Sequence, residues 1–272
     1  MKKQNTNRNT KATVSNLVGN HVPYTNRRST DVAPNSIRRL PVIIVLDLSG
    51  SMESYETMLK TAIRQLYDSI LKNTIAANSV ELAIVGFNSE IEVIQEMCEI
   101  AKQTARGEDI DIHCEGFTLT GLALKQSLKH LDERIALYKQ QVPRVNYYSP
   151  ILFFLSDGCP EFHSIDPILQ HEIRKKDKEA LDESLAIIKE RVAAKKLVSI
   201  SMEFGNYCNH ELMRSITGLD NDNHVITVDN TDSMLSYLFR ETTSIIIRAS
   251  QTGTRSMNEE PLRDMMAKKQ ST

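Results

Sequence analysis

The chain has 272 residues and a formal net charge of −2, which suits one large α/β domain and calls for neither nucleic acid nor a charged membrane as a partner. Its longest apolar runs, at 42–46 and 151–155, fall far short of the roughly 20 residues needed to cross a bilayer. No apolar signal segment follows the first residues, and the four cysteines form no disulfide framework. We therefore expect a soluble cytoplasmic protein with reduced thiols.

The composition changes at both ends of the chain. Residues 1–39 are rich in Asn, Thr and Ser and carry eight Lys and Arg residues against a single acid, Asp31. Such a segment buries too little apolar surface to offset its ordering entropy, so we predict a flexible basic arm over 1–39. A solvated tail is favoured over a tether to an acidic protein or nucleic acid. Residues 251–272 are predicted as a second loose tail, which leaves one domain over 40–250.

Between the ends, apolar residues alternate between the spacing of strands and the spacing of helices. In chain order we predict a strand at 41–46, a helix over 58–70, strands at 80–87 and 91–97, a helix over 124–138, a strand at 151–155, a helix over 181–192, a strand at 197–204, a short helix over 210–216, a strand at 224–228 and a last helix over 232–247. The three residues between the second and third strands favour an antiparallel hairpin.

This alternation predicts an α/β fold: a doubly wound, mostly parallel six-stranded sheet with one antiparallel edge strand and helices on both faces. The first and fourth strands are continuous apolar runs, as expected of strands buried on both sides. In such sheets ligands bind at the carboxyl ends of the strands, near the point where the strand order reverses. The residues that follow each strand are therefore the candidates for function.

Several of those positions are polar. Asp47, Ser49 and Ser51 come directly after the first strand, and Asp157 follows the fourth. Thr118 lies in the loop before the second helix. Carboxylates and hydroxyls without any softer ligand suit a hard cation such as Mg²⁺, Mn²⁺ or Ca²⁺ rather than zinc. The alternative is a purely structural role, in which Asp47 and Ser49 only cap the first helix.

The motif Asp-x-Ser-x-Ser at 47–51, the threonine loop 116–121 and Ser-Asp-Gly at 156–158 together resemble the metal-ion-dependent adhesion site of von Willebrand factor A (vWA) domains. The resemblance covers roughly residues 40–248 and is closest to small bacterial TerY-like proteins. Their threonine loop reads Gly-Gly-Thr-x-x-Gly; here Phe117 replaces the second glycine, and Thr120 is a less favoured rival to Thr118.

The resemblance implies a vWA-type, Rossmann-like fold and a role for each residue of the motif. Ser49, Ser51 and Thr118 would ligate one Mg²⁺, or Mn²⁺ or Ca²⁺, through their hydroxyls, and Asp47 and Asp157 would act through coordinated water or directly. The cation would keep an open position for an Asp or Glu of a partner protein. In TerY-like systems of tellurite resistance, stress or phage defence that partner would be a protein kinase or a metal-dependent phosphatase. In other intracellular vWA proteins it would be an AAA-type ATPase.

The main rival class is an enzyme, above all a metal-dependent phosphatase of the haloacid dehalogenase type. That chemistry needs a second acid two residues after the first as general acid and base, and position 49 is Ser. A serine hydrolase would need a Gly-x-Ser-x-Gly elbow, and a dinucleotide-binding enzyme a glycine-rich turn after the first strand, where Gly50 stands alone. We expect no catalytic activity.

Cysteine and histidine residues raise the question of zinc. Cys159 and His163, the pair His113–Cys114, and Cys208 with His210 have spacings that match no strong zinc signature. Ordinary packing or loop roles are therefore favoured. The charged stretch 166–183 is predicted as a solvated loop and helix start on the metal-bearing side, or as the rim of a docking surface.

Overall fold

A computed structural model describes residues 37–103, 110, 112–157, 167–204, 208–228 and 234–252. Nearly all of the predicted arm and most of the predicted tail lie outside these residues, as do Gly158, Cys159 and His163. Among the described residues no helix is long and apolar enough to cross a membrane.

A single six-stranded sheet forms the centre of the molecule. Its strands are β1 Leu40–Asp47, β2 Val80–Phe87, β3 Ile91–Glu99, β4 Ile151–Ser156, β5 Val198–Phe204 and β6 Val225–Val228. Their order in space is β3-β2-β1-β4-β5-β6, and only the pairing of β3 with β2 is antiparallel. The predicted fold class, including the antiparallel edge strand, is confirmed.

Six α-helices connect and cover the described strands. They are α1 Glu56–Lys72, α2 Thr74–Ser79, α3 Thr120–Gln140, α4 Pro167–Ala193, α5 His210–Thr217 and α6 Met234–Thr252, with 3-10 helices at Gly50–Tyr55 and Ile100–Lys102. The short α2 was not predicted, because its six residues show no apolar period of their own.

Helix α4 corrects one prediction. We expected a helix over 181–192 and interpreted the charged stretch 166–183 as a solvated loop and helix start. The structure continues the helix back to Pro167, and Ile173 and Asp177 are buried within the charged stretch. A helix start rich in Lys and Glu shows little apolar period, so its length was hidden from pattern reading.

The core has two layers, one on each face of the sheet. Because side chains alternate along a strand, β1 sends Val42, Ile44 and Leu46 to one layer and Ile43 and Val45 to the other. The first layer is closed by apolar residues of α1, α2 and α6, and the second by those of α3, α4 and α5. This arrangement explains why β1 is a continuous apolar run: both of its faces are covered.

The strand order reverses next to β1. The chain runs outward from β1 to β2 and β3, and then returns to the other side of β1 as β4. At such a point the two connections leave the sheet in opposite directions and open a crevice at the carboxyl ends of the strands. Asp47 is the last residue of β1 and Ser156 the last of β4, so the predicted motif lies at this crevice.

The opposite end of the sheet carries a buried network of charges. Arg39, the last residue of the predicted arm, is fully buried, and its Nη2 donates to Oε1 of Glu99 at 2.7 Å. Glu81 in β2 is equally buried and accepts hydrogen bonds from Arg134 and Tyr138 of α3. Nothing in the apolar pattern of the sequence predicts this network.

Candidate metal centre

The carboxylate of Asp47 is held in one orientation at the end of β1. Its Oδ1 accepts a hydrogen bond of 2.9 Å from the backbone N–H of Ser49, and its Oδ2 accepts one of 2.6 Å from the hydroxyl of Ser156. The side chain has no exposed surface. Both oxygens therefore stand at fixed positions, one tied to its own loop and one to the end of the neighbouring strand.

Burial raises the pKa of Asp47 from 3.8 to about 6, against the opposing hydrogen bonds from Ser156 and Ser49, and the nearby charge of Asp157 raises it further. A buried carboxylate beside another carboxylate is penalised in its charged form. A divalent cation at this edge would supply the missing positive charge, so the electrostatics of the pair fit a cation site.

Two hydroxyls face each other beside this carboxylate. The Oγ atoms of Ser49 and Ser51 lie 3.1 Å apart, and Ser49 is fully buried. The 3-10 helix that begins at Gly50 produces this geometry, since the N–H of Met52 donates to the carbonyl of Ser49 and turns the chain back on itself. The spacing Ser-x-Ser thus places both hydroxyls on one side of the loop.

Helix capping does not account for Asp47 and Ser49. Helix α1 begins at Glu56, and its N-cap is Tyr55, which makes no side-chain capping bond. Ser49 precedes the 3-10 helix, and its side chain makes no capping bond there either. The Asp47 carboxylate accepts from the N–H of Ser49, which lies before both helices.

Backbone hydrogen bonds join the threonine loop to the Asp47 loop. The N–H of Glu115 donates to the carbonyl of Leu48 at 2.9 Å, and the N–H of Gly50 donates to the carbonyl of Gly116 at 3.0 Å. Gly116 has φ +77°, and a Cβ there would lie 2.1 Å from the Oγ of Ser89, so only glycine fits. This clamp brings the loop that carries Thr118 alongside the loop of Asp47.

Within that loop Thr118 is 4% exposed, while Thr120 is already the first residue of α3. Phe117, the departure from the glycine pattern, does not fill the crevice. Its ring is buried with Leu119 and Ile173 in a separate apolar cluster. The bulky residue therefore anchors the loop from the side that faces α4.

The five predicted ligands offer hydroxyl and carboxylate oxygens only. Asp157, half-buried after β4, lies close enough to Asp47 to raise its pKa. In the described part of the chain no group of three or more His, Cys, Asp or Glu residues could hold a metal ion. The predicted donor set of hydroxyl and carboxylate oxygens fits Mg²⁺, Mn²⁺ or Ca²⁺ better than zinc.

A second polar cluster, which sequence reasoning missed, borders this edge at the end of β5. Glu203 pairs in register with Ser156, is almost fully buried, and accepts from Thr227 at 2.6 Å. Its carboxylate lies 2.8 Å from Nδ1 of His210, whose Nε2 is 3.2 Å from Asp222. The available signal was a lone acid near the end of an apolar strand.

Cys208 belongs to the same cluster as a half-buried thiol. Burial, and then the charge of Glu203, raise its pKa to about 12. A raised pKa favours the protonated thiol at neutral pH. Cys98, Cys114 and Cys208 are all free thiols.

The fold is that of von Willebrand factor A domains. The structure is similar to a von Willebrand factor type A protein from Catenulispora acidiphila (TM-score 0.53, 17% identity), over 77% of this chain and 43% of that one. It is also similar to the manganese-loaded TRAP protein of Plasmodium vivax (TM-score 0.51, 16% identity, 77% of this chain and 72% of that one). A third match is the vWF domain of a type V pili tip protein from Porphyromonas gingivalis (TM-score 0.53, 11% identity, 80% and 98%).

These likenesses show the fold alone. The chain spans less than half the length of the Catenulispora acidiphila protein. No protein-family model and no curated protein matches the chain. The vWA fold expected from the motif is thereby confirmed, while the ligand set and the TerY-like assignment stay predictions.

Proposed function

We propose that the chain is a metal-dependent protein interaction module that grips an acidic side chain of a partner protein. The observation that carries the proposal is the buried Asp47, fixed by two hydrogen bonds beside the paired hydroxyls of Ser49 and Ser51. The proposal is supported by the position of this group after β1, next to the point where the strand order reverses.

The chemistry of the donors supports an open cation site. Ser49, Ser51 and Thr118 would hold a divalent ion through neutral hydroxyls, and Asp47 and Asp157 would hold its waters or bind it directly. A cation bound mainly by neutral ligands keeps positive charge and an exchangeable position for an external carboxylate. An Asp or Glu of the partner would then make a charge-assisted contact at the centre of the interface.

We propose Mg²⁺ or Mn²⁺ as the ion, with Ca²⁺ as the alternative. All three accept oxygen ligands, and the TRAP protein that shares the fold is described as manganese-loaded. The described part of the chain offers no competing cluster of softer ligands.

We further propose that the module is not an enzyme. A phosphatase-like hydrolase would need a second acid at position 49 to protonate a leaving alkoxide, and Ser49 is a buried hydroxyl in contact with Ser51. The nearby acid Glu203 is already engaged by His210 and Thr227.

The partner is proposed from the resemblance of the motif to TerY-like proteins. On that basis it is a bacterial protein kinase or a metal-dependent protein phosphatase of a stress, tellurite-resistance or phage-defence system. An AAA-type ATPase is the alternative. Neighbouring genes discriminate these settings: a kinase and a phosphatase gene favour the first, an ATPase gene the second.

Calorimetric titration with Mg²⁺ and Mn²⁺ tests the metal site. Wild type should bind one ion per chain, and Asp47→Ala and Thr118→Ala should each lose most of the affinity. Asp132→Ala is the matched control, since it removes a carboxylate of α3 that lies about 18 Å along the helix from its first residue. Equal metal binding by all four proteins would refute the proposal.

A further inference from the structure

The first turn of α3 lacks the capping side chain that a helix start normally has. The helix begins at Thr120, and its N-cap is Leu119, whose apolar side chain accepts no hydrogen bond. A helix leaves its first N–H groups without partners inside the helix, and a buried start must satisfy them in another way. This start is buried: Leu119 has no exposed surface, and Thr118 directly precedes it.

Asp177 of α4 takes the place of the missing cap. Its Oδ1 accepts a hydrogen bond of 2.9 Å from the N–H of Leu122, and the carboxylate also accepts from the N–H of Gly121. These are the second and third N–H groups of α3, the ones that an N-cap side chain ordinarily satisfies. The carboxylate is 9% exposed and 55 residues away in sequence from Leu122. A negative charge here also faces the positive end of the helix dipole.

The backbone of α4 lies directly against this turn. A Cβ added to Gly121 would lie 1.9 Å from the carbonyl oxygen of Asp177 and 2.5 Å from the N of Leu181. Any side chain at 121 would push the two helices apart. Gly121 is therefore required by the approach of α4, and the approach is what lets the Asp177 carboxylate reach the first turn of α3.

One turn earlier on the same face of α4, Ile173 holds the other side of the loop. Residues four apart share a helix face, so Ile173 and Asp177 point toward the same neighbour. Ile173 is buried against Phe117 and Leu119, the two residues that flank Thr118. Helix α4 thus contacts the chain on both sides of the predicted threonine ligand, at Phe117 before it and at Leu119 after it.

We propose that Asp177 is the positioning residue of the threonine loop: by capping α3 from α4, it holds Thr118 where the cation is bound. The inference rests on the proposed metal-binding function and extends it to a residue outside the five predicted ligands. It also gives α4 a role in the site: β4 ends at Ser156, directly before Asp157, and the next described helix in the chain is α4, which begins at Pro167. Asp157, one predicted ligand, is thus followed in the chain by α4, the helix that positions Thr118, another predicted ligand.

The test compares Asp177→Ala, Asp177→Asn and Ile188→Val in the full chain by Mn²⁺ titration. Outer-shell groups that orient a metal ligand typically contribute 10- to 100-fold in affinity, so Asp177→Ala should weaken Mn²⁺ binding by about tenfold or more. Asn is as good a cap as Asp, so Asp177→Asn should stay within about threefold of wild type. Ile188→Val also loosens α4, but about 16 Å further along it, and should leave the Mn²⁺ affinity unchanged.

Hydrogen exchange in EDTA reports on the cap independently of metal. The amides of Gly121 and Leu122 should exchange faster in Asp177→Ala than in wild type or in Ile188→Val. Wild-type Mn²⁺ affinity in Asp177→Ala, or an equal loss in Ile188→Val, would overturn the positioning role. Unchanged amide exchange in Asp177→Ala would overturn the cap itself. If wild type binds no Mn²⁺ while the exchange result holds, the proposed function fails and the cap stands as a purely structural device.

Discussion

Replacing Glu81 with Ala should remove much of the free energy of unfolding while leaving the metal site intact. The carboxylate of Glu81 and the guanidinium of Arg39 have no exposed surface, and Arg134 is only 4% exposed. Truncating one member of a buried ion network leaves the others charged and unpaired, which typically costs about 3–5 kcal/mol. Arg134 loses its carboxylate partner here, while Arg39 keeps Glu99, so we expect the loss in Glu81→Ala to lie within that range. Domains of this kind have a free energy of unfolding of about 5–15 kcal/mol.

The assay is urea denaturation of the metal-free protein, followed by Mn²⁺ titration under native conditions. Glu81 pairs with Pro41 at one end of β1 and Asp47 lies six residues further on, about 20 Å away, so the Mn²⁺ affinity should be unchanged. The control is Asp132→Ala, which breaks an exposed bidentate pair with Arg191 and should cost no more than about 1 kcal/mol. A loss in Glu81→Ala no larger than in this control would refute the reasoning.

Three further predictions concern the partner, catalysis and pH. EDTA should release the native partner without unfolding the chain. Alanine at the partner's acid should weaken binding as much as Asp47→Ala does, with no additional loss when both changes are combined. If the two losses in binding free energy simply add, the interface lies elsewhere. Purified protein should hydrolyse no phosphate monoester or nucleotide above background, and metal-dependent turnover lost in Asp47→Asn would revive the phosphatase. Burial raises the pKa of Asp177 from 3.8 to about 6, against hydrogen bonds from Leu122 and Gly121. The folded state therefore binds more protons than the unfolded state between these values, and stability falls as the pH rises from about 4 to about 6, by at most about 3 kcal/mol. In denaturation curves across this range, wild type minus Asp177→Asn should show that slope, and parallel pH profiles would contradict it.

The strands and the position of the site could be predicted because local pattern dictates them. A continuous apolar run rich in β-branched residues, such as 42–46, predicts a strand covered on both faces. In a doubly wound sheet the carboxyl end of such a strand lies at the crevice where ligands bind. The polar residues after β1 and β4 follow from that placement. Hydrogen bonds at 2.9 and 2.6 Å fix the Asp47 carboxylate at the carboxyl end of β1.

Contacts between residues far apart in sequence could not be predicted. Asp177 stands in a run of Arg, Lys and Glu that looks solvated, and only the close approach at Gly121 makes it a buried cap. The pairing of Glu203 with His210 likewise depends on where α5 begins after β5. Single charged residues carry no periodic signal, so pattern analysis assigns them to the surface by default.

The polar groups at the two ends of β1 differ in what satisfies them. At Arg39 the charges are matched within the protein, since carboxylates of Glu81 and Glu99 lie beside the guanidinium. At Asp47 the hydrogen bonds come from neutral hydroxyl and amide groups, and its pKa is raised mainly by burial and further by the charge of Asp157. Neither Asp47 nor Ser49 caps a helix through its side chain, so the free-energy cost of burying the Asp47 carboxylate is not offset by helix stability. A cation shared with a partner's carboxylate would offset that cost. The unmatched negative charge at the carboxyl end of β1 is therefore the physical reason to propose a binding site there.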